Sequence, residues 1–360
     1  MRSLWICALL LCSCQAGIAP NSTPRPSSQE APATSTLVQP TPTLSLTEAI
    51  RPYTIAGLRE HDFRSGPIEV RGILEITDIF TRYLIAYPSD DLVITGILQI
   101  PRRGTPPFPV LVLNHGYFYR GDFNSGDGTD RAAEYFNRRG YLTLSSDYRS
   151  WGGSGVGASL FYSGLVIDVI NLLNGIASIP EADPDRIGML GHSMGGGITV
   201  KVLAVDRRVR AAVLYSTVSA DDADIIERWG SGCIGDVFEN ELLVGCNSSD
   251  IVPLDLPSEV VDAYQKASYE PALLRETSAI FHLEGITAPV QIGYGTEDGQ
   301  VLSGTPPAWS QKLHAALLEA GVSSELFAYE GEGHSFLAEQ WVAFMERSAR
   351  FFDKHVRSES

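Results

Sequence analysis

The sequence predicts an α/β protein built on a doubly wound, mainly parallel sheet, and three observations predict it. Apolar runs of strand length alternate with segments of helical spacing from about residue 68 onward. The run Val110-Leu111-Val112-Leu113 is apolar without alternation, as a strand covered on both faces must be. Gly191-His192-Ser193-Met194-Gly195 joins an apolar run to a small-residue segment of helical character, a strand-to-helix turn of the kind such sheets repeat.

Taken in order, strands at 70–79, 83–87 and 92–100 form an antiparallel edge, and Pro106, Pro107 and Pro109 break the chain before the buried strand at 110–113. A helix at 130–139 stops at Gly140 and a strand follows at 141–144. A helix at 161–176, a strand at 186–190, a helix at 195–205 and a strand at 209–215 continue the rhythm. It then lapses until a strand at 289–294, after which come a helix at 307–320, a strand at 325–329 and a terminal helix at 336–355. The gap is a helical insertion, 218–284, expected after the sixth strand. Ligands bind such sheets at the carboxyl ends of the strands, so the insertion is a candidate lid or pocket wall; a peripheral cap is the alternative.

With 360 residues and 44% hydrophobic content the chain can bury a large core. Its net charge of -16, from 43 acidic and 27 basic residues scattered along the chain, offers no basic surface and excludes a nucleic-acid-binding role. Arg2 followed by an apolar stretch to Leu11 reads as a signal peptide, and Leu11-Cys12-Ser13-Cys14 resembles a lipobox. Cleavage there would leave Cys14 as the lipidated N-terminus; simple secretion with cleavage near Ala16 or Ala19 is the competing reading. Residues 15–47 are rich in Pro, Ser, Thr and Ala and read as an extended tether, leaving 48–357 as the folded domain. Membrane contact is then expected through the N-terminal lipid only. Outside the leader only Cys233 and Cys246 remain, which an oxidising compartment would pair; two buried thiols are the alternative.

A serine hydroxyl becomes nucleophilic only when a base takes its proton, so Ser193 needs a histidine within reach. His334, in Gly331-Glu332-Gly333-His334-Ser335, follows the last strand and precedes the final helix. His192 adjoins the serine but is expected to point elsewhere, His115 is expected to brace a loop, and His314 to be exposed. His61, His282 and His355 lie in segments without chemical context. The base needs an acid to orient it, and Asp298, after the strand at 289–294, completes the chain order Ser, Asp, His, with Glu297 as rival. Acyl transfer also needs donors for the developing oxyanion. Met194 N–H comes with the turn, and Tyr117 N–H, in Asn114-His115-Gly116-Tyr117, is the second candidate. The Tyr117 and Phe118 side chains are candidate substrate contacts. No His/Cys/carboxylate clustering or phosphate loop calls for a metal or other cofactor.

Asn114-His115-Gly116, Asp147-Tyr148-Arg149 with glycines to Gly157, Asp183-Pro184-Asp185-Arg186-Ile187-Gly188, Gly191 to Gly196, Gly295 to Asp298 and Gly331 to His334 together resemble the α/β-hydrolase superfamily. The likeness is closest to the catalytic domain of prolyl oligopeptidase-type (S9) peptidases and nearly as good to dienelactone hydrolases and acyl esterases. It implies an α/β-hydrolase fold, a serine hydrolase and a Ser193, Asp298, His334 triad. The large β-propeller usual in those oligopeptidases does not fit within 48–109. That favours a small ester, with a short peptide second; a surface binding protein that has lost catalysis is the reading from a different class. Oligomeric state is left open by the sequence.

Overall fold

The computed structural model describes residues 45–230 and 258–357. Ser45 opens the described chain by capping helix α1 (Leu46–Ile50): its hydroxyl accepts from Glu48 N–H, and Glu48 reaches back to Ser45 N–H. Helix α1 therefore starts slightly before the domain boundary expected at 48. After α2 (Ile55–Arg59) come the edge strands β1 (Glu69–Ile76), β2 (Phe80–Ser89) and β3 (Leu92–Pro101). The single strand expected at 70–79 ends at Ile76, because the Thr77 hydroxyl accepts from both Ile79 N–H and Phe80 N–H and folds 77–80 into a turn.

The rest follows the expected alternation: β4 (Phe108–Asn114), α3 (Asp130–Asn137), β5 (Leu142–Ser146), α4 (Ser163–Gly175), β6 (Ala182–His192), α5 (Met194–Val205) and β7 (Val209–Tyr215). The insertion contributes α6 (Asp222–Trp229), α7 (Ser258–Ala267) and α8 (Pro271–Thr277). It follows β7 along the chain, after the seventh strand and not the sixth. Then come β8 (Val290–Gly295), α9 (Pro307–Glu319), β9 (Ser324–Tyr329) and α10 (Ala338–Phe352).

One nine-stranded sheet has the order β1-β2-β3-β5-β4-β6-β7-β8-β9. Pairing is antiparallel from β1 to β5 and parallel from β5 to β9. Strand β4 shows why its sequence lacks alternation. Val110 and Val112 pack with α4 and α5 on one face, while Leu111 and Leu113 pack with Phe136 of α3 and Phe344 and Phe352 of α10 on the other. The apolar stretch Leu160–Ser178 owes its hydropathy to this burial; it is long and apolar enough to cross a membrane but lies in the core.

Helix α6 is joined to the domain by buried charge. Lys201 Nζ of α5 lies 3.2 Å from Asp222 Oδ2, and the Thr277 hydroxyl donates to the same oxygen. Burial pushes the Lys201 ammonium down and the Asp222 carboxyl up, and each partner opposes the other's shift. Lys312 of α9 bridges Asp221 and Asp224 at 2.8 and 2.9 Å. Removing one member of the buried pair strands the other, so Lys201→Met is expected to cost about 3–5 kcal/mol. Urea unfolding of that variant and of Lys201→Met/Asp222→Leu checks this: the double variant should recover part of the loss, and equal stabilities of Lys201→Met and wild type would contradict it.

Candidate active site

The β6–α5 turn forces Ser193 into φ 54°, ψ -121°, a backbone conformation that non-glycine residues rarely adopt. Four backbone hydrogen bonds hold it there. Ser193 N–H donates to Tyr215 O at 3.0 Å, and Ser193 O accepts from Gly196, Gly197 and Val218 N–H. The turn also packs against the end of β4: a Cβ at Gly195 would collide with the carbonyls of Asn114 and His115. Thr199 locks the contact, donating to Gly195 O and accepting from Asn114 Nδ2 at 2.9 Å.

His334 Nε2 lies 2.9 Å from Ser193 Oγ, and its Nδ1 lies 3.0 and 3.2 Å from the Asp298 oxygens. Asp298 is almost wholly buried, while the imidazole stays partly open to solvent. Burial pushes the Asp298 carboxyl up, but His334 and the Thr305 donors outweigh it and hold the group below its ordinary value. A carboxylate at Nδ1 fixes the tautomer that leaves Nε2 free to accept from the serine. Glu297 is exposed and meets the histidine loop only through its N–H, which donates to Glu332 O. The two loops touch closely enough that a Cβ at Gly295 would strike the carbonyls of Glu332 and Gly333. Tyr215 steadies the base from below, its hydroxyl accepting from Phe336 N–H.

Of the other candidate side chains, His314 departs from expectation. His192 meets the loop that carries His334: its Nε2 donates to His334 O at 3.0 Å and its ring lies 4.9 Å from that of His334. His314 is half-buried and bonds Ser324 Oγ at 2.8 Å, because α9 packs beside β9. His115 is buried between Phe123 and Tyr148, with Nδ1 at 2.7 Å from Gly116 O, as a loop brace would be. The Phe118 ring joins that aromatic cluster against His115 and Phe123. Tyr117 packs edge-on to Trp151. Gly116 brings the loop against the nucleophile turn, where a Cβ would lie 3.1 Å from Ser193 Cβ. Met194 is the first residue of α5, so its N–H has no intrahelical acceptor. Cys14, Cys233 and Cys246, with the leader and tether, lie outside the described residues. Among the described residues no group of three or more His, Cys, Asp or Glu side chains is arranged to hold a metal ion.

Sequence reasoning missed Thr305. Its hydroxyl donates to Asp298 Oδ2 at 2.7 Å and its N–H donates to Oδ1 at 2.8 Å, so one residue fills sites on both carboxylate oxygens. It stands seven positions past Asp298 in a Gly-rich loop, where no spacing rule would single it out.

This sheet, with a strained serine at its centre and His and Asp on the following loops, defines the α/β-hydrolase class of serine hydrolases. Residues 105–340 match the family Hydrolase_4, described as serine aminopeptidase, S33, and the chain belongs to that family. Over 95 residues it is 33% identical to an uncharacterized 31.7 kDa protein of Escherichia coli; the match covers 26% of this chain, which thus spans 32% of that curated relative's length. The fold is similar to Acetyl Xylan Esterase 1 from a Thermoanaerobacterium species, with TM-score 0.54 and 19% identity over 86% of this chain and 93% of that one. It is similar also to the acylaminoacyl peptidase of Pyrococcus horikoshii, with TM-score 0.54 and 19% identity over 78% of this chain and 43% of that one.

Two outcomes are expected. Thr305→Val should lower kcat about 10-fold and leave KM within about 2-fold, with Thr305→Ser near wild type, measured on a p-nitrophenyl ester. Stability should also fall with acid. Burial lowers His115 and His192 to about 4, so between the ordinary histidine value and that point the unfolded chain binds two protons that the folded one does not. Asp147 opposes this: burial raises it to about 6 against the Ser125 and Thr95 hydroxyls, so the folded chain binds one proton more. The unfolded state gains on balance, and denaturant titrations should lose on the order of 2 kcal/mol between pH 6.5 and 4.5. Stability that rises over that window would contradict the neutral histidines.

Proposed function

We propose that the protein is an exported, lipid-anchored serine hydrolase that cleaves carboxylic esters through an acyl-enzyme, with Ser193 as nucleophile. The observation that carries the chemistry is the continuous hydrogen-bonded line from Ser193 Oγ through His334 to Asp298. His334 takes the serine proton as Oγ attacks the carbonyl, and Asp298 stabilises the imidazolium that forms. Met194 N–H and Tyr117 N–H receive the oxyanion. His334 then protonates the leaving alkoxide, and water repeats the sequence on the acyl-enzyme to release acid and regenerate Ser193. No cofactor enters these steps.

Ester is preferred to peptide on charge. An aminopeptidase must bind a free ammonium with unpaired carboxylates, and among the described residues the three aspartates that open the insertion are already paired. Asp222 faces Lys201, while Asp221 and Asp224 face Lys312. The family description favours the second reading, cleavage of short peptides, which the same triad would serve. Export and anchoring rest on Arg2, the apolar leader and the lipobox-like Leu11-Cys12-Ser13-Cys14. The insertion would wall the acyl pocket, and the Tyr117 side chain would meet substrate.

Fluorophosphonate should label the wild-type protein and not Ser193→Ala, and p-nitrophenyl acetate should turn over faster than aminoacyl anilides. Labelling that survives Ser193→Ala would remove the nucleophile; faster anilide turnover would reverse the order of the two substrate classes.

A further inference from the structure

The first helix of the insertion, expected as part of a lid, pocket wall or peripheral cap, is bonded to the acid loop. From Asp298 the chain runs through turns to Thr305, with no helix or strand of its own and with Val301 and Leu302 exposed. Burial therefore does little to hold these residues. Arg228 of α6 does: its Nη2 donates to Val301 O at 2.8 Å and to Gly299 O at 2.9 Å, and its Nε to Leu302 O at 3.2 Å. The neighbouring Trp229 Nε1 donates to Leu302 O at 2.6 Å while its ring meets Trp309 edge-on. Gly299, Val301 and Leu302 are thus all gripped from one helix turn.

We infer that Arg228 is a positioning residue for the triad: its guanidinium shapes the 299–304 loop and through it sets the Asp298 carboxylate against His334. The route is short. Gly299 N–H donates to Asp298 Oδ1 at 2.8 Å, and Thr305, at the far end of the loop, supplies donors to both oxygens. A change in the loop's curvature moves both ends of that cradle. A planar fork of several donors is what a set of divergent carbonyls requires; a lysine ammonium at the same place would reach fewer of them. Helix α6 can serve as the anchor because Asp222 ties it to Lys201 on the nucleophile's own helix, and Asp221 and Asp224 tie it to Lys312. The insertion's first helix thus braces the serine helix against the acid loop, and Arg228 acts through Asp298 without touching substrate.

The inference rests on the triad reading, and a double-mutant cycle on the full-length protein separates the two. Arg228→Ala should lower kcat for p-nitrophenyl acetate about 10-fold with KM within about 2-fold, and slow fluorophosphonate labelling of Ser193 in parallel. In an Asp298→Asn background the same change should cost less than about 2-fold in labelling rate, since the loop then has no carboxylate to place. Arg228→Lys should recover only part of the loss. Equal losses in the two backgrounds, or a loss confined to KM, would overturn the positioning role. Should Arg228→Ala fail to fold, Trp229→Phe, which removes one donor and keeps an aromatic side chain in its place, enters the same cycle with an expected loss of about 3-fold, and an unchanged kcat there overturns the inference. Wild-type protein that neither labels nor turns over ester would sink the hydrolase reading itself.

Discussion

The backbone of Ser193 is the constraint around which the rest of this structure is arranged. A side-chain-bearing residue at φ 54°, ψ -121° carries strain of about 1–3 kcal/mol and persists only where its surroundings leave no alternative. Those surroundings come from three strands. Strand β6 delivers the serine, β7 accepts its N–H at Tyr215 O, and the end of β4 presses on Gly195. The parallel order β4-β6-β7 is what brings the three together. The conformation places Oγ at the start of α5, where unsatisfied N–H groups and the helix dipole favour developing negative charge.

The base and the acid are held by a different device, mutual contact between irregular loops. Neither the 331–337 loop nor the 296–306 loop has regular structure, so each is fixed by specific contacts: Tyr215 and His192 for the base, Arg228 and the loop's own Thr305 for the acid. Loops hold side chains less accurately than strands do, and chemistry that depends on sub-ångström geometry needs such a supporting layer. The insertion belongs to that layer, as a brace whose first helix carries acidic groups at its start and donors at its end.

The sequence made legible whatever local chemistry dictates. Gly191, Ser193 and Gly195 declare a turn that only small flanking residues permit, and the apolar run at 110–113 declares a strand covered on both faces. The places of Asp298 and His334 follow from chain order once the strands are assigned. Interactions spanning long separations were not legible. Arg228 meets carbonyls more than seventy positions away, and Lys201 meets Asp222 across a strand and a turn. Neither residue stands out from other charged residues in composition or spacing. The partner of His192 was not legible for a related reason: its direction is decided by the His334 carbonyl, which local sequence does not reveal. Thr77 was a local signal that hydrophobic pattern concealed, since the apolar residues on both sides of it read as one strand.

Nucleophilic catalysis by Ser193 makes a covalent claim, and a covalent claim is open to direct observation. Rapid acid quench of the protein with p-nitrophenyl acetate, followed by peptide mass spectrometry, should find an acetyl group on the peptide containing Ser193. It should be absent from Ser193→Ala and should disappear as turnover ends. Ester turnover with no acyl adduct, or with the adduct on another residue, would contradict the account.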